Sequence, residues 1–377
     1  MIVGIVGGGQ LARMMLLESY SLGLRFVTLD PSADACAGHV GELIQAPYDD
    51  EKALRQLAGK VDVVTFEFEN VPDTSIHVLS EQLPVYPPPE ALGFSQDRMT
   101  EKNLFTELGI PTPSYLPVDS LPELEGAALE LGMPLILKTR RLGYDGKGQY
   151  RINARQDILP AWEALGGVPL IAEQYISFDR EISIIAVRGQ SGETRYYPVP
   201  ENTHRNGILH LSVCRPGDPR QADAESYIDR LLDRLDYVGV LTLELFEHEG
   251  RLLANEIAPR VHNSGHWTIE GSQTSQFENH IRAITGLPLG STAAKGCSVM
   301  VNFIGNLPDR AEALASFETL GFHAYGKEPR LGRKVGHGTI NTVDAESLEA
   351  MIPELSRMAL SASEAMTRSP LAATARK

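Results

Sequence analysis

Up to about residue 90, short apolar runs alternate with longer segments of helical periodicity. The run Ile2–Val6 predicts a strand that ends in Gly7-Gly8-Gly9. A helix is expected over 10–22, a second strand over 24–29 ending at Asp30-Pro31, and a third over 61–66. Glu67, Glu69 and Asn70 follow that third strand. Strands alternating with helices imply a parallel sheet. Pro84 and Pro87-Pro88-Pro89 then interrupt the pattern and mark a boundary. A helix is expected from 90 to 108, closed by Gly109 and Pro111.

The period changes further on. Strand signals fall at 135–137, 148–152, 170–175, 181–187 and 194–198, which predicts a mixed α+β region. An amphipathic helix over 275–285 stops at Gly286-Leu287-Pro288. Strands near 298–304, 322–325 and 339–343 form a smaller β-rich unit, and residues after Ser369 read as a frayed end. The expected division is 1–95, 96–288 and 289–377.

Within the central region, 240–257 reads as a β-hairpin with a Glu-Gly turn signal. A three-residue loop, with Gly250 in the left-handed position, pairs Leu245 with Leu253 and Glu244 with Ala254. Glu256 then lies diagonal to Glu244 on the same face, roughly 7 Å away. A two-residue turn would send the two carboxylates to opposite faces. On one face they repel by roughly 2 kcal/mol at an effective dielectric near 20. A divalent cation converts that repulsion into binding, and magnesium commonly takes one or two carboxylates plus water and phosphate oxygens. Solvated glutamates on an exposed hairpin are the alternative.

Composition narrows the class. The 377 residues suffice for two or three cores, and a net charge of −15 argues against a general nucleic-acid or membrane-surface binder. Cys36, Cys214 and Cys297 are widely spaced, which fits a reducing compartment and neither a disulfide frame nor a zinc site. The start lacks a basic segment with an apolar core, and no apolar run is long enough for a bilayer, so a cytoplasmic enzyme is expected.

Several segments carry candidate chemistry. Gly7-x-Gly9-x-x-Ala12, with Asp30 ending the next strand, meets the formal dinucleotide fingerprint. The pattern guarantees a tight turn and an anion-friendly helix start without naming the anion. A nicotinamide, another ligand's phosphate, or no ligand remain open. Lys138 ends a strand, and the loop Gly143-Tyr144-Asp145-Gly146-Lys147-Gly148-Gln149 follows. Its accessible amides suit a polyphosphate, although no Walker ending closes it, and a plain glycine-rich turn is the alternative. Glu173-Gln174-Tyr175-Ile176 ends a strand, where backbone groups can read a purine edge, and Glu181 can accept from ribose hydroxyls, although taken alone the segment reads first as a plain strand with surface acids. The nine residues from Ala258 to His266 gather donors (Arg260, His262, Asn263, Ser264) directly after Glu256. Lys327, Arg330, Arg333, Lys334 and His337 crowd one segment against the global charge, which suits a phosphate, with a solvated charged face as the alternative.

These elements, in this order, resemble the ATP-grasp family. The likeness rests on Gly8-Gly9-Gln10-Leu11, on the 143–149 loop, on the string from Ala258 to Thr268, and on Gly332-Arg333-Lys334-Val335-Gly336-His337. It is strongest to the branch that uses ATP and bicarbonate to carboxylate 5-aminoimidazole ribonucleotide in purine biosynthesis. The resemblance implies a Rossmann-like N-terminal domain that binds no nicotinamide, an ATP-grasp central domain with a glycine-rich lid, and a small C-terminal domain. It implies that Arg98 and Lys138 hold ATP phosphates, that the lid closes over them, that Glu173 to Ile176 read adenine and Glu181 the ribose. His204 would lie at the nucleotide edge. Glu244 and Glu256, with Asn255 beside them, would hold Mg2+. Asp145, Arg260, His262, Asn263, Ser264, Lys327, Arg333 and Lys334 would surround bicarbonate and the ribonucleotide, and Gln10 and Glu67 would face the latter. A homodimer is implied as well. Another ATP-grasp ligase, such as a formate-dependent glycinamide ribonucleotide transformylase, is the alternative.

Overall fold

The structure, a computed structural model, describes residues 1–143 and 146–368. The N-terminal region holds a four-stranded parallel sheet. Its spatial order is Glu42–Gln45, Arg25–Asp30, Ile2–Val6 and Val63–Phe66. The central strands are buried on both faces, so they read as continuous apolar runs. The strand order reverses between Ile2–Val6 and Val63–Phe66, and ligands of such sheets collect in the crevice beyond the strand ends there. The apolar pattern does not predict Glu42–Gln45, because that strand is short and half polar. The helix expected over 10–22 ends at Glu18, and a single tight turn covers Tyr20–Leu22.

The expected helix over 90–108 is two helices, Pro89–Gln96 and Arg98–Glu107. Asp97 divides them in extended conformation and caps the second by accepting from the Met99 amide. Apolar periodicity continues across the break, which is why the pattern predicts one element.

A small antiparallel sheet follows, ordered Tyr115–Val118, Leu170–Gln174, Leu135–Thr139 and Gln149–Ile152. Helices Leu121–Leu131 and Ile158–Leu165 bury their apolar faces against it. Opposite stands a nine-stranded antiparallel sheet, one strand of which, Thr194–Tyr196, pairs with Arg180–Arg188 off the main path. It starts at the edge strand Arg251–Ala258 and passes through Gly239–His248 and Arg180–Arg188. It then runs on through Pro200–Arg205 and Ile208–Cys214 into the C-terminal strands Cys297–Ile304, Lys334–Thr342 and Gly321–Ala324. The sheet therefore crosses the boundary expected near 288. The final helix, Ala345–Arg368, lays Leu348, Leu355 and Ala359 on the C-terminal core. Among the described residues, no helix is long and apolar enough to cross a membrane.

Candidate active site

The small sheet and the large sheet face each other across a cleft of about 680 Å³. One wall carries Lys138 and Glu173, the other Glu181, Glu244 and Glu256, and the loop residues Gly143 and Gly146 to Gln149 border it. Gly146, at φ +74°, comes so close to the turn at Asn206-Gly207 that an added Cβ would stand 3.0 Å from the Gly207 Cα. Glycine on both sides lets the loop of the small sheet meet a turn of the large one. Tyr144 and Asp145 lie outside the described residues.

The carboxylate pair is reached by an unexpected route. The hairpin turn is the two-residue Glu249-Gly250, both at positive φ (48° and 74°), with His248 paired to Arg251. Leu245 therefore pairs with Ala254, not Leu253. A register shift follows between Glu244 and Leu245, so that Glu244 stands directly opposite Glu256 and Asn255 is the extra residue of a β-bulge. The turn reverses the faces and the bulge reverses them again. Two carboxylates directly opposite, with Cβ atoms about 5 Å apart, repel by about 3 kcal/mol at an effective dielectric of 20.

A histidine and an arginine flank the pair. His262 Nε2 lies 3.1 Å from Glu244 Oε1, and Arg98 Nη1 donates to Glu256 Oε2 at 2.9 Å. Burial raises the Glu244 pKa, but His262, His204 and the Asn255 amide outweigh it and hold the carboxyl at about 2. Glu244 is thus a carboxylate at neutral pH. The Asn255 Oδ1 is buried without a hydrogen-bond partner. Two carboxylates and an orphaned amide oxygen are the hard oxygen donors that magnesium takes. Among the described residues there is no group of three or more His, Cys, Asp or Glu that could hold a metal ion.

The nucleotide side is equally charged. Lys138 Nζ donates to Glu173 Oε2 at 3.0 Å. Burial pushes the Glu173 carboxyl up, but Lys102, Lys138 and Arg98 bring it to about 2. Gln174, Tyr175 and Ile176 line the cleft beyond it. The Arg151 guanidinium sits 4.0 Å from the Tyr175 ring centre. Glu181 binds His204 Nδ1, and that contact overcomes the effect of burial and raises the imidazole pKa.

The third wall is the loop after Glu256. Buried Gln276 brackets His262, accepting from its amide at 2.9 Å and donating to its carbonyl at 2.6 Å. Arg260 Nε donates to Glu69 Oε2 at 2.6 Å. Burial opposes ionisation of Glu69, and Arg260 prevails, leaving the carboxyl at about 2. Asn263 exchanges two amide hydrogen bonds with Asn302, at 2.8 and 3.0 Å. Arg260, His262 and Asn263 line the cleft, whereas Ser264 lies beneath it, fully buried, with its hydroxyl on His262 Nδ1 and Ser183.

At the far end, Gln10, Glu67 and Lys334 line the cleft. Lys327 Nζ donates to Gln10 Oε1. Burial is the main reason the Lys327 pKa is lowered, against the pull of Cys36 and Glu67. Arg333 donates to the Glu328 carbonyl of its own loop at 3.1 Å and does not line the cleft. The glycine fingerprint is filled from within. The Glu67 carboxylate accepts from the Gly9 and Ala12 amides, and Asp30 accepts from the Gly8 amide at 2.8 Å. A dinucleotide's phosphates would have to displace Glu67.

Three partners escape the sequence reading: Glu69, Glu101 and Lys102. Glu69 carries the one available signal, its place two residues after Glu67 at a strand end. Glu101 and Lys102 sit in an ordinary charged helical turn, and nothing in the sequence marks them as buried.

A cleft between two sheets, closed by a glycine loop and holding facing carboxylates, defines an ATP-grasp ligase architecture, and three family models agree. They are the ATP-grasp domain over residues 103–277, the ribonucleotide synthetase preATP-grasp domain over 1–96, and the phosphoribosylaminoimidazole carboxylase C-terminal domain over 298–351. The N5-carboxyaminoimidazole ribonucleotide synthase of Pseudomonas aeruginosa is 54% identical over 353 residues, 94% of this chain and 98% of its own. The crystal structure of the synthetase from Thermus thermophilus is 50% identical, with a TM-score of 0.90 over 94% of this chain and 98% of that one. A structure of the Aspergillus clavatus enzyme with ADP and 5-aminoimidazole ribonucleotide is 31% identical, with a TM-score of 0.88 over 95% and 98% of the two chains. The chain belongs to the N5-carboxyaminoimidazole ribonucleotide synthase family.

Proposed function

We propose that this protein is an ATP-dependent carbon–nitrogen ligase that carboxylates 5-aminoimidazole ribonucleotide with bicarbonate, releasing ADP and phosphate, in purine biosynthesis. The observation that carries the reading is the pairing of Glu244 with Glu256 beside a nucleotide cleft whose third wall is the Arg260–Asn263 loop.

Bicarbonate oxygen attacks the γ-phosphorus of ATP, the bond to the β-bridging oxygen breaks, and carboxyphosphate and ADP result. The exocyclic amine then attacks the carboxyl carbon, phosphate leaves with the C–O bonding pair, and the amine loses a proton. Phosphoryl transfer asks the protein chiefly for positioning and charge stabilisation. Magnesium, when bound, neutralises charge on the transferring phosphate. Glu244, Asn255 and Glu256 would supply its oxygen donors. Arg98 and Lys138, each now paired with a carboxylate, exchange that partner for phosphate oxygens. Arg260, held by Glu69, offers its remaining N–H groups to bicarbonate, with His262 and Asn263 beside it. Carboxyphosphate reacts with water, so the 143–149 loop, Asp145 included, excludes solvent during the reaction. Lys327, Arg333 and Lys334 anchor the ribonucleotide's phosphate, with Gln10 and Glu67 toward its sugar, and Ser264 supports His262 from below. The residue divisions 1–95, 96–288 and 289–377, a homodimeric state and a cytoplasmic location belong to the same reading.

ADP release tests it. It should require bicarbonate and 5-aminoimidazole ribonucleotide together, one ADP per ribonucleotide carboxylated. Release driven equally by formate with glycinamide ribonucleotide would contradict it.

A further inference from the structure

We infer that Lys102 is a positioning residue, whose ammonium sets the strand register that brings Glu256 opposite Glu244. The inference rests on the reading of that pair as the metal site.

Lys102 is fully buried, on the helix Arg98–Glu107. Burial lowers its pKa, opposed by the charges of Glu173 and Glu101. A lysine in such a place needs strong partners. Its Nζ donates to the carbonyls of Asn255 at 2.9 Å and Ala254 at 3.3 Å, and to Thr112 Oγ1 at 2.9 Å. Thr112 Oγ1 donates in turn to the Ala254 carbonyl at 2.7 Å.

Consecutive carbonyls of a regular strand point to opposite sides. The carbonyls of Ala254 and Asn255 instead converge on one cation. That convergence is possible because Asn255 is the extra residue of the bulge. Arg251–Ala258 is also the edge strand of its sheet, so among the described residues no further strand holds its outer side. The helix does this. Glu101, one position before Lys102 in the helix, accepts from the Ile257 amide at 2.7 Å, and Arg98 reaches Glu256 itself. Residues 98, 101 and 102 share one helix face by their spacing. Without the ammonium, the two carbonyls lose the group that favours the bulged register. The regular register turns Glu256 away from Glu244.

Calorimetry of the full chain with ADP, with and without Mg2+, separates this role from mere packing. The quantity read is the factor by which Mg2+ tightens ADP. In Lys102→Met that factor should fall about tenfold or more, the weight of one charge-assisted hydrogen bond. A folded Lys102→Met with the wild-type factor would overturn the inference, provided Glu256→Gln abolishes the factor. Should Glu256→Gln also keep it, the metal reading itself falls and this inference with it. If Lys102→Met fails to fold, Thr112→Val carries the same comparison, with a fall of about threefold expected. An unchanged factor there would again overturn the inference.

Discussion

Glu244 and Glu256 face each other directly across an antiparallel pair whose turn, by parity alone, should have set them on opposite faces. The bulge at Asn255 restores the match, and the Asn255 amide hydrogen-bonds Glu244. His262 and Arg98 flank the pair, and a bound cation would relieve the repulsion between the two carboxylates directly. Glu256→Gln removes one metal charge and should lower the rate of ADP formation about a hundredfold or more. A near-normal rate at ordinary magnesium concentrations would refute the assignment.

The turn itself is separable from the chemistry. Gly250 stands at φ +74°, where a side chain is strained. Gly250→Ala should cost about 1 kcal/mol in urea unfolding. It should leave turnover unchanged, because the substitution keeps the two-residue turn and the bulge at Asn255, and with them the register. A loss of activity larger than the loss of stability would show that the turn governs the pair.

Lys327 reaches Gln10 across the boundary between the C-terminal and N-terminal regions. Lys327→Ala should raise the KM for the ribonucleotide by about tenfold or more, since a phosphate contact is charge-assisted. The KM for ATP should stay within about twofold of its normal value. Weakened ATP use with unchanged ribonucleotide use would move the basic cluster to the other substrate.

The glycine fingerprint makes a prediction of absence and one of stability. NAD(H) should not bind, because Glu67 already satisfies the Gly9 and Ala12 amides. Glu67→Ala should destabilise the chain by about 1–3 kcal/mol, since two helix-start donors lose their acceptor. Saturable NAD(H) binding to the unaltered protein, followed by fluorescence, would contradict the first, and an unchanged urea-unfolding midpoint for Glu67→Ala would contradict the second.

Acid should unfold the chain through named carboxylates. Glu69, Glu173 and Glu244 all ionise at about 2, below the usual 4.5, despite burial. A depressed pKa contributes stability that is complete above the unfolded value and drains away as pH falls through the folded one. Unfolding free energy should therefore drop by several kcal/mol between about pH 5 and pH 2. A flat urea-denaturation profile across that window would show that the pairs contribute little.

How far the sequence carries the reading depends on the kind of residue. Strands such as Ile2–Val6, uniformly apolar, are legible because burial on both faces leaves no other pattern. The glycines of the 143–149 loop and the Arg260–Asn263 string are legible as donors of a known kind. The register at Glu244 is not. A bulge is fixed by contacts from outside its strand, here the Lys102 ammonium on two carbonyls, and local sequence does not encode them. Glu67 is a similar case, since its capture by the Gly9 and Ala12 amides depends on two strand ends brought together by the sheet order.

A crystal structure with Mn2+ in place of Mg2+, a non-hydrolysable ATP analogue and the ribonucleotide would locate the ion by its anomalous signal. The account predicts an ion held by both Glu244 and Glu256 and touching the nucleotide's terminal phosphates. An ion seated elsewhere, with the two carboxylates turned apart, would contradict it.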